Sequence, residues 1–167
     1  MRILGIDPGS QITGYGVVEK LGSRLVHVDN GGIFTHPADA FPEKLRTIFA
    51  GILELIGRHR PDCVALENIF VAKNVKSSFQ LGHARGAVMV AAAQQSLKVY
   101  EYPPTSVKLA VTGYGRASKD QIQQMVKRLL KLPETTYHDA SDALAVAICH
   151  LHSSPAEGRA KSAGGFR

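Results

Sequence analysis

Residues 2–7 (RILGID) form a short apolar run that stops at Pro8-Gly9, the pattern of a buried strand entering a turn. Residues 14–19 (GYGVVE) and 24–34 (RLVHVDNGGIF) predict two more strands joined by Leu21-Gly22-Ser23, so the first three strands read as an antiparallel meander. Between residues 41 and 59, Leu45, Ile48, Phe49, Ile52, Leu53 and Ile56 recur at helical spacing on one face, with Pro42 suited to the first turn and Pro61 ending the helix. Residues 63–67 (CVALE) predict a buried strand that ends on a carboxylate. A polar loop runs from Asn68 to about Lys76, and a helix capped by Ser77 or Ser78 continues to about Leu97, rich in Gly and Ala between 82 and 93. Residues 98–102 (KVYEY) predict a strand closed by Pro103-Pro104, followed by a short helix at 105–111 and a basic loop, Gly113-Tyr114-Gly115-Arg116. Ser118 suits the N-cap of a helix with Ile122, Met125, Val126, Leu129 and Leu130 on one face, and a last helix covers 139–152.

Apart from the short helix at 105–111, this order is βββ-α-β-α-β-α-α, an α/β fold with helices packed on a mixed sheet. No linker divides it, and 167 residues suffice for one domain with a real core. We therefore expect a single domain over 1–152 and a disordered basic tail over 153–167, which is rich in Ser, Gly and Ala and carries Arg159, Lys161 and Arg167.

Charge sharpens this picture. Residues 72–131 hold ten Lys/Arg and two acids, Glu101 and Asp120, so this segment is +8 and the rest of the +6 chain is −2. Such a segment suits a polyanion laid across one surface, or a solvated face. The apolar run Ala87–Ala93 is far shorter than the ~20 residues of a membrane span, and no basic stretch precedes a hydrophobic one at the N-terminus. These features predict a cytoplasmic protein without membrane contact. Cys63 and Cys149 lie in apolar surroundings without metal-ligand spacing and read as two buried thiols, with a disulfide as the alternative.

Four acids carry the candidate chemistry. Asp7 and Glu67 each end a strand; if the strands are parallel neighbours, both project from the carboxyl edge, where open α/β sheets bind ligands. Asp139 and Asp142, three residues apart, share a helix face, and Asp139 also suits an N-cap. The helix after Asp142 (Ala143–Cys149) is apolar on every side and so buried, and a carboxylate in its first turn needs compensation. A hard cation is one answer and a Lys or Arg partner is the other. Clustered acids suit Mg²⁺, and two such ions can share them in phosphodiester hydrolysis.

The run Gly5-Ile6-Asp7-Pro8-Gly9, followed by Thr13-Gly14-Tyr15-Gly16, resembles the N-terminal motif of the RuvC family of Holliday junction resolvases. Leu66-Glu67-Asn68-Ile69-Phe70, Ala72-Lys73-Asn74, Leu81-Gly82-His83-Ala84-Arg85-Gly86 and Asp139-Ala140-Ser141-Asp142-Ala143-Leu144-Ala145 continue it in order and spacing over about residues 1–152. The resemblance implies a ribonuclease H-like fold with a five-stranded mixed sheet, the three-strand antiparallel meander plus parallel strands, flanked by helices. It implies a homodimer that nicks four-way DNA junctions symmetrically in two strands of like polarity during recombination and repair. Asp7, Glu67, Asp139 and Asp142 would be both catalytic and metal-binding, with two Mg²⁺ per subunit, Mn²⁺ substituting, and the RuvA–RuvB branch-migration complex as partner.

Phe70 then reads as an aromatic that stacks on a base where the junction opens, against the alternative of a core plug. Lys73, Lys76, Lys108, Arg116 and Lys119 are candidates for DNA phosphate contact or ordinary surface cations; Lys108 and Lys119 are the better placed relative to the acids. The Gly/Ala-rich face of the helix over 77–97 reads either as a two-fold contact or as packing on its own sheet, and the resemblance favours the first. An RNA-processing nuclease on the same fold, a junction binder without catalysis and an ATPase are the competing readings.

Overall fold

Alternation along the central strands sorts side chains into two cores. A computed structural model of the chain describes residues 1–68, 75–132 and 138–153, without the side chains of Val75, His138 and Asp139. Its five strands are β1 (Arg2–Asp7), β2 (Ile12–Leu21), β3 (Arg24–Phe34), β4 (Cys63–Glu67) and β5 (Lys98–Tyr102), ordered β3-β2-β1-β4-β5 in one sheet. β1, β2 and β3 pair antiparallel, and β4 and β5 add in parallel beyond β1. Leu4, Ile6, Val64 and Leu66 pack with α1 (Phe41–His59) and α2 (Val75–Gln94) on one face. Ile3, Cys63 and Ala65 pack with α3 (Pro104–Thr112), α4 (Lys119–Leu130) and α5 (His138–Ser153) on the other.

Local signals explain most boundaries. Pro42 opens α1, and Arg60, in the left-handed region at φ 47°, closes it with its N–H on the Ile56 carbonyl at 2.8 Å. Ser118 caps α4 in a full capping box: the Gln121 N–H donates to Ser118 Oγ and the Ser118 N–H donates to Gln121 Oε1. Three details depart from the expectation. α2 begins at Val75, before Ser77 and Ser78, which therefore lie inside its first turn. β2 extends over 12–21 because Ile12 and Thr13 pair with Phe34 and Ile33. The short helix at 105–111 is a full element, α3, so three helices follow β5. Both cysteines are buried free thiols, which settles the disulfide alternative. Among the described residues no helix is long and apolar enough to cross a membrane. The tail from 154 onward lies outside the described residues.

Candidate active site at the carboxyl edge of the sheet

β1 and β4 pair in parallel with Ile6 opposite Leu66, so the next residue of each strand, Asp7 and Glu67, leaves the sheet at the same edge. Side chains alternate, and Ile3 and Gly5 on β1 and Cys63 and Ala65 on β4 face the α5 side, which puts Asp7 and Glu67 on that side too. The turn after Asp7 is pinned by Thr13, whose buried hydroxyl donates to the Gly9 carbonyl at 2.8 Å and accepts from the Gly9 N–H at 3.3 Å.

α5 reaches this edge because two glycines let it lie directly on the strands. A Cβ on Gly5 would stand 2.1 Å from the Ala143 carbonyl oxygen, and one on Gly16 would stand 2.8 Å from the Leu144 nitrogen. The other end of α5 sits over the amino edge, where Lys20 Nζ donates to the Leu151 carbonyl at 3.1 Å and His150 meets Cys63. The helix thus runs against β1, and Asp142, one residue before Ala143, comes to the carboxyl edge.

Glu67 and Asp142 feel one another there. Burial first, and then the Asp142 charge, push the Glu67 carboxyl above its ordinary pKa, while Lys108 and Lys119 pull it down. Lys119 Nζ stands 2.8 Å from Asp142 Oδ2. Lys119 is thus a lysine partner for the carboxylate in this turn. Arg85 on α2 braces the same strand end from the opposite face. It donates to the Glu67 carbonyl at 2.5 Å and to Asn68 Oδ1 at 3.2 Å, and pairs with Glu101 at 2.7 Å.

The remaining candidates are placed unevenly. Lys108 lies on α3 within electrostatic reach of Glu67, and Arg116 is exposed in the connection between α3 and α4. Lys76 is exposed in the first turn of α2. Asp139 falls in the first turn of α5, but its side chain lies outside the described residues, as do Phe70 and Lys73 altogether. Among the described residues no three His, Cys, Asp or Glu side chains form a ready-made metal group. The donor set nonetheless fits a hard divalent cation: it offers carboxylate oxygens, and Glu67 resists ionisation beside Asp142, which a cation between them would relieve. Arg85 and the two seating glycines are the contributions that reasoning from sequence missed. Gly5, Gly16 and Arg85 stand in the resemblance motifs, but their roles depend on which elements meet across the sheet.

A five-stranded sheet of this order, with acids at the carboxyl end of its first strand and of the parallel neighbour, is the ribonuclease H-like nuclease fold. Residues 3–150 match the crossover junction endodeoxyribonuclease RuvC family, and the chain belongs to it. A RuvC of Citrifermentans bemidjiense is 60% identical over 153 residues, covering 92% of this chain and 93% of that protein. The RuvC of Geobacter sulfurreducens is 56% identical over the same length and covers the same shares. The structure of Thermus thermophilus RuvC in complex with a Holliday junction substrate is 36% identical, with a TM-score of 0.86 over 91% of this chain and 93% of that one. The yeast mitochondrial Holliday junction resolvase, 13% identical with a TM-score of 0.67 over 90% of this chain and 77% of that one, shares the fold. The chain is accordingly a nuclease of the crossover-junction endodeoxyribonuclease class, and a divalent metal ion belongs to that chemistry.

Proposed function

We propose that the protein resolves four-way DNA junctions by nicking two strands of like polarity symmetrically, with Asp7, Glu67, Asp139 and Asp142 as the catalytic acids. The observation that carries this reading is the convergence of Asp7 and Glu67 on one sheet edge with Asp142 beside Glu67. These acids would hold Mg²⁺, two ions per subunit with Mn²⁺ able to substitute. Such ions lower the pKa of water and neutralise charge on the leaving oxygen.

The protein's own groups do the rest. Arg85 fixes the main chain at Glu67 and so aims its carboxylate. Lys108 and Lys119 put positive charge beside the acids, where a DNA phosphate must lie to react. Arg116, Lys76 and Lys73 bind phosphates of the DNA backbone, and Phe70 stacks on an opened base. A homodimer supplies two sites for paired nicks. Its contact is the outer face of α2, where Phe79 and Val90 are 65% and 60% exposed and Gly82 and Gly86 have open space above them. Family membership supports action with the RuvA–RuvB branch-migration complex; membership and the two free thiols support a cytoplasmic site of action.

Asp7→Asn tests the acid site on a synthetic four-way junction. Nicking falls roughly a thousandfold, the scale of several kcal/mol of lost charge stabilisation, while junction affinity in a gel shift stays within about threefold of wild type. Near-normal nicking by this variant removes Asp7 from the site.

A further inference from the structure

Lys119 opens α4, where unpaired N–H groups and the helix dipole make a cation unfavourable. Asp120 is the acid that this first turn provides for itself, and the capping box ties down two of its N–H groups. Nothing local therefore recommends a lysine here. Its ammonium pairs with a residue of another helix, Asp142, at 2.8 Å. Such a conflict between a local preference and a distant contact is what functional positions produce.

The pair is also asymmetric. The Asp142 side chain is 25% exposed and carried by a helix seated on the sheet, whereas the Lys119 side chain is 59% exposed on a flexible stem. If one partner moves, it is the lysine. A pair this open to water is weak and gives way to a stronger charge. A divalent ion that uses the Asp142 carboxylate brings such a charge to the place where the ammonium stands.

We propose that Lys119 is the resident counter-ion of the acid cluster, that a divalent metal displaces it from Asp142, and that the freed ammonium then serves the DNA phosphate. This inference rests on the reading that the acids hold metal. It adds an order of events: Lys119 covers Asp142 while the site is empty and becomes available to DNA once the ion is in place. The same side chain thereby couples metal occupancy to phosphate binding.

Two measurements without DNA test it. In the first, wild-type protein in a chelator and then in saturating Mn²⁺ is labelled briefly with an amine-reactive reagent and read peptide by peptide. Labelling of Lys119 rises at least threefold with Mn²⁺, and that of Lys131, at the far end of α4, does not change. In the second, free Mn²⁺ is followed by its electron paramagnetic resonance signal. Lys119→Met binds Mn²⁺ at least fivefold more tightly than wild type, because no ammonium has to leave. Unchanged labelling of Lys119, or equal or weaker binding by the variant, overturns the displacement while leaving the metal site standing. Absence of Mn²⁺ binding by wild-type protein overturns the displacement and the metal site together.

Discussion

His150 shows how one residue ties three elements together beneath α5. It is fully buried on α5, with Nδ1 2.6 Å from the Tyr102 hydroxyl on β5 and Nε2 3.3 Å from Cys63 Sγ on β4. A neutral imidazole fits both contacts: the tyrosine O–H donates to Nδ1, and the Nε2–H donates to sulfur. Burial, reinforced by the neighbouring Cys149, Cys63 and Tyr100, pushes the Tyr102 pKa up to about 12, so this group remains a donor. Burial also lowers the His150 pKa below its ordinary 6.5. Protonation is then easier in the unfolded chain than in the folded one. Stability from this residue is full above the ordinary imidazole value and falls as pH drops from there towards the lower folded value. We expect His150→Gln to be less stable than wild type at pH 7.5 by about 1–3 kcal/mol, and the gap to narrow by pH 5.5. Thermal unfolding of both proteins across this range checks it; a gap independent of pH removes the buried neutral imidazole. None of this was legible in the sequence, where His150 is one of several histidines and its partners lie 48 and 87 residues away.

At the level of elements, the sequence was most legible where a local rule decides. β1, α1, β4 and β5 have the bounds their alternation, apolar stripe and prolines predict, and Ser118 caps α4 as its spacing predicts. α2 was read about three residues too far along the chain: the serines look like a cap, yet the helix starts before them and stops at Gln94. The seating of α5 was invisible for another reason: it is a property of two surfaces, and glycines at positions 5 and 16 say nothing until the helix is above them. The contact is specific enough to break. Gly5→Val would push a side chain into the Ala143 carbonyl and the Ala147 main chain, so α5 must lift away. Overpacking of this kind costs about 1–3 kcal/mol or more. We expect a lower denaturation midpoint together with a loss of nicking larger than that instability explains, since Asp142 rides on the displaced helix. Denaturant titration beside a nicking assay at a temperature where the variant is folded separates the two effects. Full activity in a folded Gly5→Val protein argues that α5 need not touch the strand.

At the scale of the whole molecule, charge and apolar exposure divide the surface. The basic residues of 72–131 approach the acid edge through Lys108 and Lys119, while α2 turns a stripe of Phe79, Gly82, Gly86 and Val90 outward. The sequence left that helix face with two readings: Ala84, Val88, Ala91 and Ala92 pack in the chain's own core, and the two-fold contact is proposed for the open stripe beside them. Val90→Glu puts a charge in the proposed contact without touching the core. We expect sedimentation to report a dimer for wild type and a monomer for this variant; a dimeric variant, or a monomeric wild type, removes α2 as the interface. The acids at 7 and 67 were legible because each ends a strand, whereas the pairing of Asp142 with Lys119 joins two helices and needed the folded molecule to show it.

The parallel ladder between β1 and β4 has a consequence for how such a chain can change over generations. A single inserted residue in either strand would reverse every later side chain and drive a carboxylate into the apolar layer beneath α1 and α2. Composition can drift along these strands while their lengths cannot, so lineages of this nuclease should vary in length through the turn between β2 and β3 and the connection between α3 and α4, and hardly at all between the first residue of either strand and its terminal acid.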